Sequence, residues 1–293
     1  MQDNDAQVID KRQARTAFDR AAEGYDQAAV LQREVADRIL ERLDYIKHVP
    51  QRLLDVGCGT GYTLPALARR YPGSEIWALD VSVNMLDQAR ARPSLWQKMR
   101  SRFRYVAGDA EQLPLADASV DMIFSSLAIQ WCVDLDQTFA EMRRVLKPDG
   151  LLMFSTFGPD TLGELRQCFE AVDAYSHTNR FIDMHDIGDA LLRHGFGDPV
   201  MDMEMLTLTY PDLFSIMRDL KQIGAHNVTR GRARGLTGKR RMQAVGEAYE
   251  QFRQEQRLPV SYEVLYGHAW AIETSGAGCA VPQEVPVNFV PRR

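Results

Sequence analysis

The sequence predicts an α/β protein built on a mostly parallel sheet with helices on both faces. Three observations carry this. Short apolar strands alternate with helical segments from residue 51 to residue 157; a glycine-rich turn follows the first of those strands; and the next two strands each run into an aspartate. Alternation of that kind means βαβ units, whose crossovers place helices on both sides of a parallel sheet.

The segments follow in order. Residues 14 to 45 read as helices, with Leu31, Val35, Ile39 and Leu43 recurring every four residues and Leu40 widening the same face. Gln51 to Val56 is a strand, and Gly57-Cys-Gly-Thr-Gly61 follows it at once. Tyr62 to Arg70 is helical until Pro72-Gly73 stops it. Glu75 to Leu79 is a second strand ending at Asp80, Asn84 to Arg92 a helix, and Phe103 to Ala107 a third strand ending at Gly108-Asp109. Val120 to Ser125 is a fourth strand and Leu135 to Leu146 a helix. Leu151 to Phe157 is a fifth strand, after the turn Lys147-Pro-Asp-Gly150. The rhythm then changes: helices at Thr161–Ala174 and Ile187–His194, a strand at Met203–Thr209, helices at Leu213–Ile223 and Met242–Gln256, and a strand at Ser261–Ala271. Residues 273–293 carry Gly and Pro without periodicity and are expected to form a loose tail.

Bulk properties narrow the function. The 293 residues carry 35 basic and 40 acidic side chains, a formal net charge of -5, with no global pull toward nucleic acid or anionic membrane. The polar stretch Met1 to Gln13 has no apolar signal-peptide core, and no apolar run approaches the roughly 20 residues that span a bilayer. Four scattered cysteines without a CxxC pair suit a reducing cytoplasm. Six histidines without HxxxH or HxH spacing give no support for a metal site.

Gly57, Gly59 and Gly61 lie between a strand and a helix, where a side chain would keep the backbone away from a ligand. The helix that follows offers free N–H groups. A dinucleotide fold spaces its glycines as GxGxxG, but here the spacing is GxGxG with Asp55 two residues upstream. A pyrophosphate would be repelled by that carboxylate, whereas the ammonium of an amino acid would be attracted. Asp80 can accept both hydrogen bonds of a ribose diol and Asp109 one from an adenine amino group, while Ser125 to Leu127 can line the ligand. Each feature alone has a plain structural explanation, such as a turn glycine or a helix cap. The ordered set at successive strand ends does not follow from capping.

Leu53-Leu-Asp-Val-Gly-Cys-Gly-Thr-Gly61, Leu79-Asp-Val-Ser82, Gly108-Asp-Ala-Glu-Gln-Leu-Pro114 and Arg144-Val-Leu-Lys-Pro-Asp-Gly150 resemble the motifs of class I S-adenosylmethionine-dependent methyltransferases. The family usually has Gly where Asp149 stands. The resemblance implies a Rossmann-like, mostly parallel seven-stranded sheet with an antiparallel last strand, supplied here by residues 261–271. It implies S-adenosyl-L-methionine as cofactor, held by Asp55, Gly57, Gly59, Gly61, Asp80, Val81, Met85, Asp109, Ala110 and Ser125. The expected organisation is a cofactor-binding domain over 14–210, completed by strand 261–271, and a helical cap inserted at 211–258.

A finer resemblance extends into the second half. Ala17-Phe-Asp-Arg-Ala-Ala-Glu-Gly-Tyr-Asp26, Leu31-Gln-Arg-Glu-Val-Ala36, Ser125-Ser-Leu-Ala-Ile-Gln-Trp131, Ser155-Thr-Phe-Gly-Pro-Asp-Thr-Leu-Gly-Glu-Leu165, Arg180-Phe-Ile-Asp-Met-His-Asp186 and Leu220-Lys-Gln-Ile-Gly-Ala-His-Asn227 resemble the malonyl-acyl-carrier-protein O-methyltransferases of biotin synthesis. The resemblance implies methylation of the free carboxylate of a malonyl thioester. Such a carboxylate, with an ordinary pKa of about 4, needs no general base at neutral pH. Tyr25 is expected to close over the cofactor. Arg180 is the first candidate to hold the malonyl carboxylate, since arginine binds carboxylates through two parallel hydrogen bonds. Arg143 and Arg144 are weaker candidates, and His185 and His226 could assist. The basic stretch Arg230, Arg232, Arg234, Lys239, Arg240, Arg241 could steer in an acidic acyl carrier protein. It has no aromatic interleaving for nucleic acid. The alternatives are a methyltransferase for another small acid or a ring carbon, or a cofactor-binding assembly factor without methyl transfer. A NAD-binding dehydrogenase is disfavoured by GxGxG and Asp55.

Overall fold

A computed structural model describes residues 9–92, 102–173, 179, 181–224 and 238–273. Its centre is one seven-stranded sheet: β1 Arg52–Val56, β2 Glu75–Asp80, β3 Arg102–Ala107, β4 Val120–Ser126, β5 Leu146–Phe157, β6 Phe196–Tyr210 and β7 Leu258–Ala271. The spatial order is β3-β2-β1-β4-β5-β7-β6. Strands β1 to β5 pair in parallel, and β7 runs antiparallel between β5 and β6. Because β1 pairs β2 on one side and β4 on the other, the chain reverses its direction of winding beside β1. A crevice therefore opens at the carboxyl ends of these strands.

Helices cover both faces, as the alternation required. On one face, Leu31, Val35 and Ile39 of the helix Val30–Arg42 bury with Leu43 against Leu53, Met122 and Met153. On the other, Phe139, Met142 and Val145 of the helix Leu135–Val145 meet Ile187, Ala190 and Leu191 of the helix Met184–Arg193 over Leu54, Ile123 and Leu152. Within the segment 211–258, the described residues include the helices Leu213–Gln222 and Lys239–Tyr249. Their Leu213, Ile216, Leu220, Val245 and Tyr249 share the first core with Val260, Tyr262 and Val264 of β7.

Three strands begin several residues earlier than the pattern predicts, β7 at Leu258 rather than Ser261 and β5 and β6 by more. β5 begins at Leu146, which pairs with Val120 before a register shift brings Leu151 opposite Met122. Asp149 sits inside that irregularity with φ +59°, a left-handed conformation that Asp tolerates better than most residues. The turn therefore survives without the family's glycine. β6 begins at Phe196 rather than Met203, with a shift between Gly197 and Val200 that hides its early alternation. The segment read as helix from Tyr62 becomes helical only at Leu64. The tail beyond 273 lies outside the described residues.

Candidate active site

The cofactor-binding expectation rests on the ends of β1 to β4, and a cavity opens there. The glycine-rich turn is stitched to β2: the N–H groups of Gly57 and Cys58 donate to the Leu79 carbonyl at 2.8 and 3.0 Å. All three glycines have positive φ, yet their surroundings differ. A Cβ on Gly57 would lie 2.2 Å from the Ala128 Cβ, and one on Gly61 2.9 Å from the Ala89 Cβ. At Gly59 nothing lies within 4 Å. Gly57 and Gly61 therefore serve close packing, and Gly59 alone leaves open space. Gly57 and Gly59 line the cavity. Gly61 is absent from its wall and holds the turn against the helix Val83–Ala91.

Four acids approach the cavity: Asp26, Asp55, Asp80 and Asp109. Asp55 is only 1% exposed and accepts a 2.5 Å hydrogen bond from the Thr63 hydroxyl. Burial pushes its pKa up to about 7, against the Thr63 bond, and the negative charge of Asp80 adds to the rise. Asp80 accepts from the Gly59 N–H at 2.9 Å and the Ser82 N–H at 2.8 Å. Burial pushes it up to about 6 despite those bonds. Two buried acids facing one cavity make a wall that favours cations and hydrogen-bond donors. Asp109 is more exposed; it accepts from Lys11 Nζ at 2.6 Å and from the Glu111 N–H at 3.0 Å. Val81, Met85 and Ala110 also line the cavity.

Ser125 does not. Its hydroxyl donates to the Val56 carbonyl at 3.0 Å and is wholly buried. Successive strand residues point to opposite faces, so Ser126 takes the wall position, joined by Leu127, which lies past the strand end with φ +50°. Tyr25 lines the cavity at the start of the short helix Tyr25–Ala28, and burial raises its phenol beyond the ordinary tyrosine range. His185 stands apart from the cavity. Its imidazole is exposed and pairs with Asp183, the cap of the helix Met184–Arg193, at 2.7 Å. Arg143 bonds to the Gly195 carbonyl, and Arg144 to Glu141 and Asp117; neither lines the cavity. Arg180 and His226 lie outside the described residues.

One wall was only partly visible in sequence. The helix Lys11–Ala21 and the helix Tyr25–Ala28 close the cavity with Lys11, Phe18, Tyr25 and Asp26. They are fixed to the loops that follow β1 and β2: Asp19 accepts from Ser82 Oγ and Asp26 from Thr60 Oγ1, both at 2.6 Å. Arg92 adds an ion pair to Asp26, and Phe18 meets Trp131 edge to face at 5.0 Å. Lys11 carried no local signal, since its partner stands 98 positions later. Among the described residues, no group of three or more His, Cys, Asp or Glu side chains could hold a metal ion. No helix among them is long and apolar enough to cross a membrane.

Residues 54–154 match the model of a methyltransferase domain. The malonyl-acyl-carrier-protein O-methyltransferase of Gallionella capsiferriformans is 57% identical, over 90% of this chain and 91% of its own length. The enzyme of that name from Methylovorus sp. is 53% identical over 98% of this chain and 97% of its own. The chain belongs to the malonyl-acyl-carrier-protein O-methyltransferase family. The fold agrees: the YcgJ protein of Bacillus subtilis superposes with a TM-score of 0.57 at 18% identity, covering 81% of this chain and 99% of that one. In the terms of this methyltransferase family, the cavity fits its cofactor. A buried carboxylate suits the ammonium, the open face of Gly59 leaves room beside the backbone, and Asp80 and Asp109 offer acceptors along one edge.

Proposed function

We propose that this protein transfers a methyl group from S-adenosylmethionine to the free carboxylate of a malonyl thioester carried on acyl carrier protein. The observation that carries the reading is likeness along almost the whole chain, including the half beyond residue 157, to enzymes bearing that name. The acid-lined cavity at the carboxyl edge of the sheet supports the cofactor half.

When bound, S-adenosylmethionine supplies an electrophilic methyl on a positively charged sulfur. Asp55 holds the ammonium, Asp80 the ribose hydroxyls, and Asp109 the adenine edge. Val81, Met85 and Ala110 pack around the nucleoside; Gly57 and Gly59 let the backbone approach, and Gly61 keeps the turn tight. The malonyl oxygen is already anionic at neutral pH, so no side chain has to remove a proton. The protein's work is alignment and the exclusion of water from two charges that neutralise each other. Tyr25, Phe18 and Trp131 line the cavity, which supports their part in that exclusion. Arg180 and His226 are retained as candidates for the substrate end.

The segment 211–258 acts as a cap over the substrate. In support, a Cβ at Gly224, just past the end of its first helix, would lie 3.2 Å from Phe18 of the wall helix, so the two segments stand close together. The carrier protein docks on the basic stretch from Arg230 to Arg241. Within it, Arg240 is exposed and Arg241 pairs with Asp173 at 3.3 Å.

The test is a methyl-transfer assay with radiolabelled S-adenosylmethionine on malonyl and acetyl thioesters. Label should enter the malonyl thioester only, with one S-adenosylhomocysteine formed per methyl. Equal labelling of acetyl thioester, or none of malonyl, overturns the assignment.

A further inference from the structure

The helix Val30–Arg42 brings two adjacent side chains to the cavity, Gln32 and Arg33. Each lacks a complement. The Gln32 Oε1 atom is buried with no hydrogen-bond partner among the described residues. An unsatisfied buried acceptor costs roughly as much as a lost hydrogen bond, so it marks a place where a donor belongs. Arg33 donates to the backbone carbonyl of Asp26, but among the described residues it pairs with no carboxylate. The other cation of the wall, Lys11, is already held by Asp109 and Glu111. The cavity therefore presents an unfilled acceptor beside a guanidinium without a carboxylate, and Asp55 nearby favours a cationic donor.

That combination selects a zwitterion. Arg33 lies by the glycine-rich turn: the residue whose carbonyl it binds, Asp26, accepts from Thr60, and its charge acts on the Tyr62 phenol. Asp55, the second acceptor for a cation, sits in the strand that feeds the same turn. We propose that Gln32 and Arg33 form the receptor for the amino-acid end of the cofactor. Arg33 takes its carboxylate, and Gln32 shares its ammonium with Asp55. This rests on the cofactor assignment above. A malonyl half-acid could also meet Arg33, but it carries no cation and leaves the Gln32 oxygen unanswered.

The test measures binding rather than turnover, on the full chain. S-adenosylhomocysteine and its decarboxylated analogue are titrated calorimetrically into wild type, Arg33→Met, Arg33→Lys and Gln32→Leu. Loss of a charge-assisted pair is worth about tenfold to a hundredfold in affinity. Arg33→Met should weaken S-adenosylhomocysteine by that factor and leave the decarboxylated analogue within about twofold, with Arg33→Lys in between. Gln32→Leu should weaken both ligands, since both keep the ammonium. If Arg33→Met instead leaves both affinities intact and raises KM for malonyl thioester, the residue serves the substrate and the proposal falls. Equal weakening of both ligands by Arg33→Met, or no effect of either substitution, also overturns it. Failure of wild type to bind S-adenosylhomocysteine would instead remove the cofactor assignment itself.

Discussion

Asp55 is a carboxyl group walled off from water beside a second acid, and its protonation state is therefore tied to its ligand. With a folded pKa of about 7 against an ordinary 3.8, it keeps a proton in the ligand-free protein that the unfolded chain has lost. Between about pH 4 and pH 7 the folded state binds more protons, so the ligand-free protein loses stability as pH rises through that window. An ammonium ligand demands the opposite state, the anion. S-adenosylhomocysteine affinity should rise by about tenfold per pH unit below 7 and level off above it. Calorimetry from pH 5.5 to 8.5 checks this, and Asp55→Asn should flatten the profile while lowering affinity throughout. The glycines separate in the same way. Gly59→Ala meets only its φ of +53°, a cost of about 1–2 kcal/mol, and should mainly impair ligand binding. Gly57→Ala adds a 2.2 Å clash with Ala128 and should lower the melting temperature clearly further. Positions on the cavity wall were legible where strand ends and acidic residues coincide, as at Asp55, Asp80 and Asp109. They were illegible where a one-residue alternation decides, as between Ser125 and Ser126. His185 misled because a histidine in a matching motif looks like chemistry, whereas its partner Asp183 makes it part of a helix cap.

Among elements, the two N-terminal helices form one wall of the cavity. They touch the site through Lys11–Asp109, Asp19–Ser82 and Asp26–Thr60, contacts that span 34 to 98 positions. Such pairings leave no trace in local periodicity, which is why this wall was visible only through the motif around Tyr25. Exposed or half-exposed ion pairs are individually weak, so the helices are fastened by several small interactions. Ligand should fasten them further. Hydrogen exchange of residues 11–28 should slow by about tenfold or more when S-adenosylhomocysteine is added, while the helix Leu135–Val145 on the far face stays unchanged. Equal protection of both would mean general stabilisation without closure. The longer β5 and β6 were hidden for a different reason. Irregular residues at Asp149 and between Gly197 and Val200 break the alternation from which strand ends are read.

Over the whole molecule, the parallel sheet with helices on both faces followed from the βαβ rhythm, and the antiparallel β7 from the family likeness. Between β5 and β6, β7 has little room: a Cβ on Gly267 would lie 2.3 Å from the Phe154 ring. Gly267→Val should lower the melting temperature by several degrees or prevent folding, as overpacking costs about 1–3 kcal/mol. The carrier-docking reading is also a property of the whole charge distribution. In a chain of net charge -5, reversing Arg232 and Arg234 removes a local basic field. KM for the carrier-linked substrate should rise well above that for a short malonyl thioester, and the gap should shrink as salt is added.

The placement of β6 has a further consequence. Fifteen residues long, it borders the sheet with one side unpaired among the described residues, and Val200, Met203 and Met205 stand exposed along it. Such a rim is a template on which a second chain can lay a strand and begin a filament. Pro199, which has no N–H to offer, and the acids Asp198, Asp202 and Glu204, the last two paired with Arg42 and Arg38, stand along it. Neutralising those acids should turn a dispersed protein into one whose light scattering climbs with concentration, before any loss of methyl transfer.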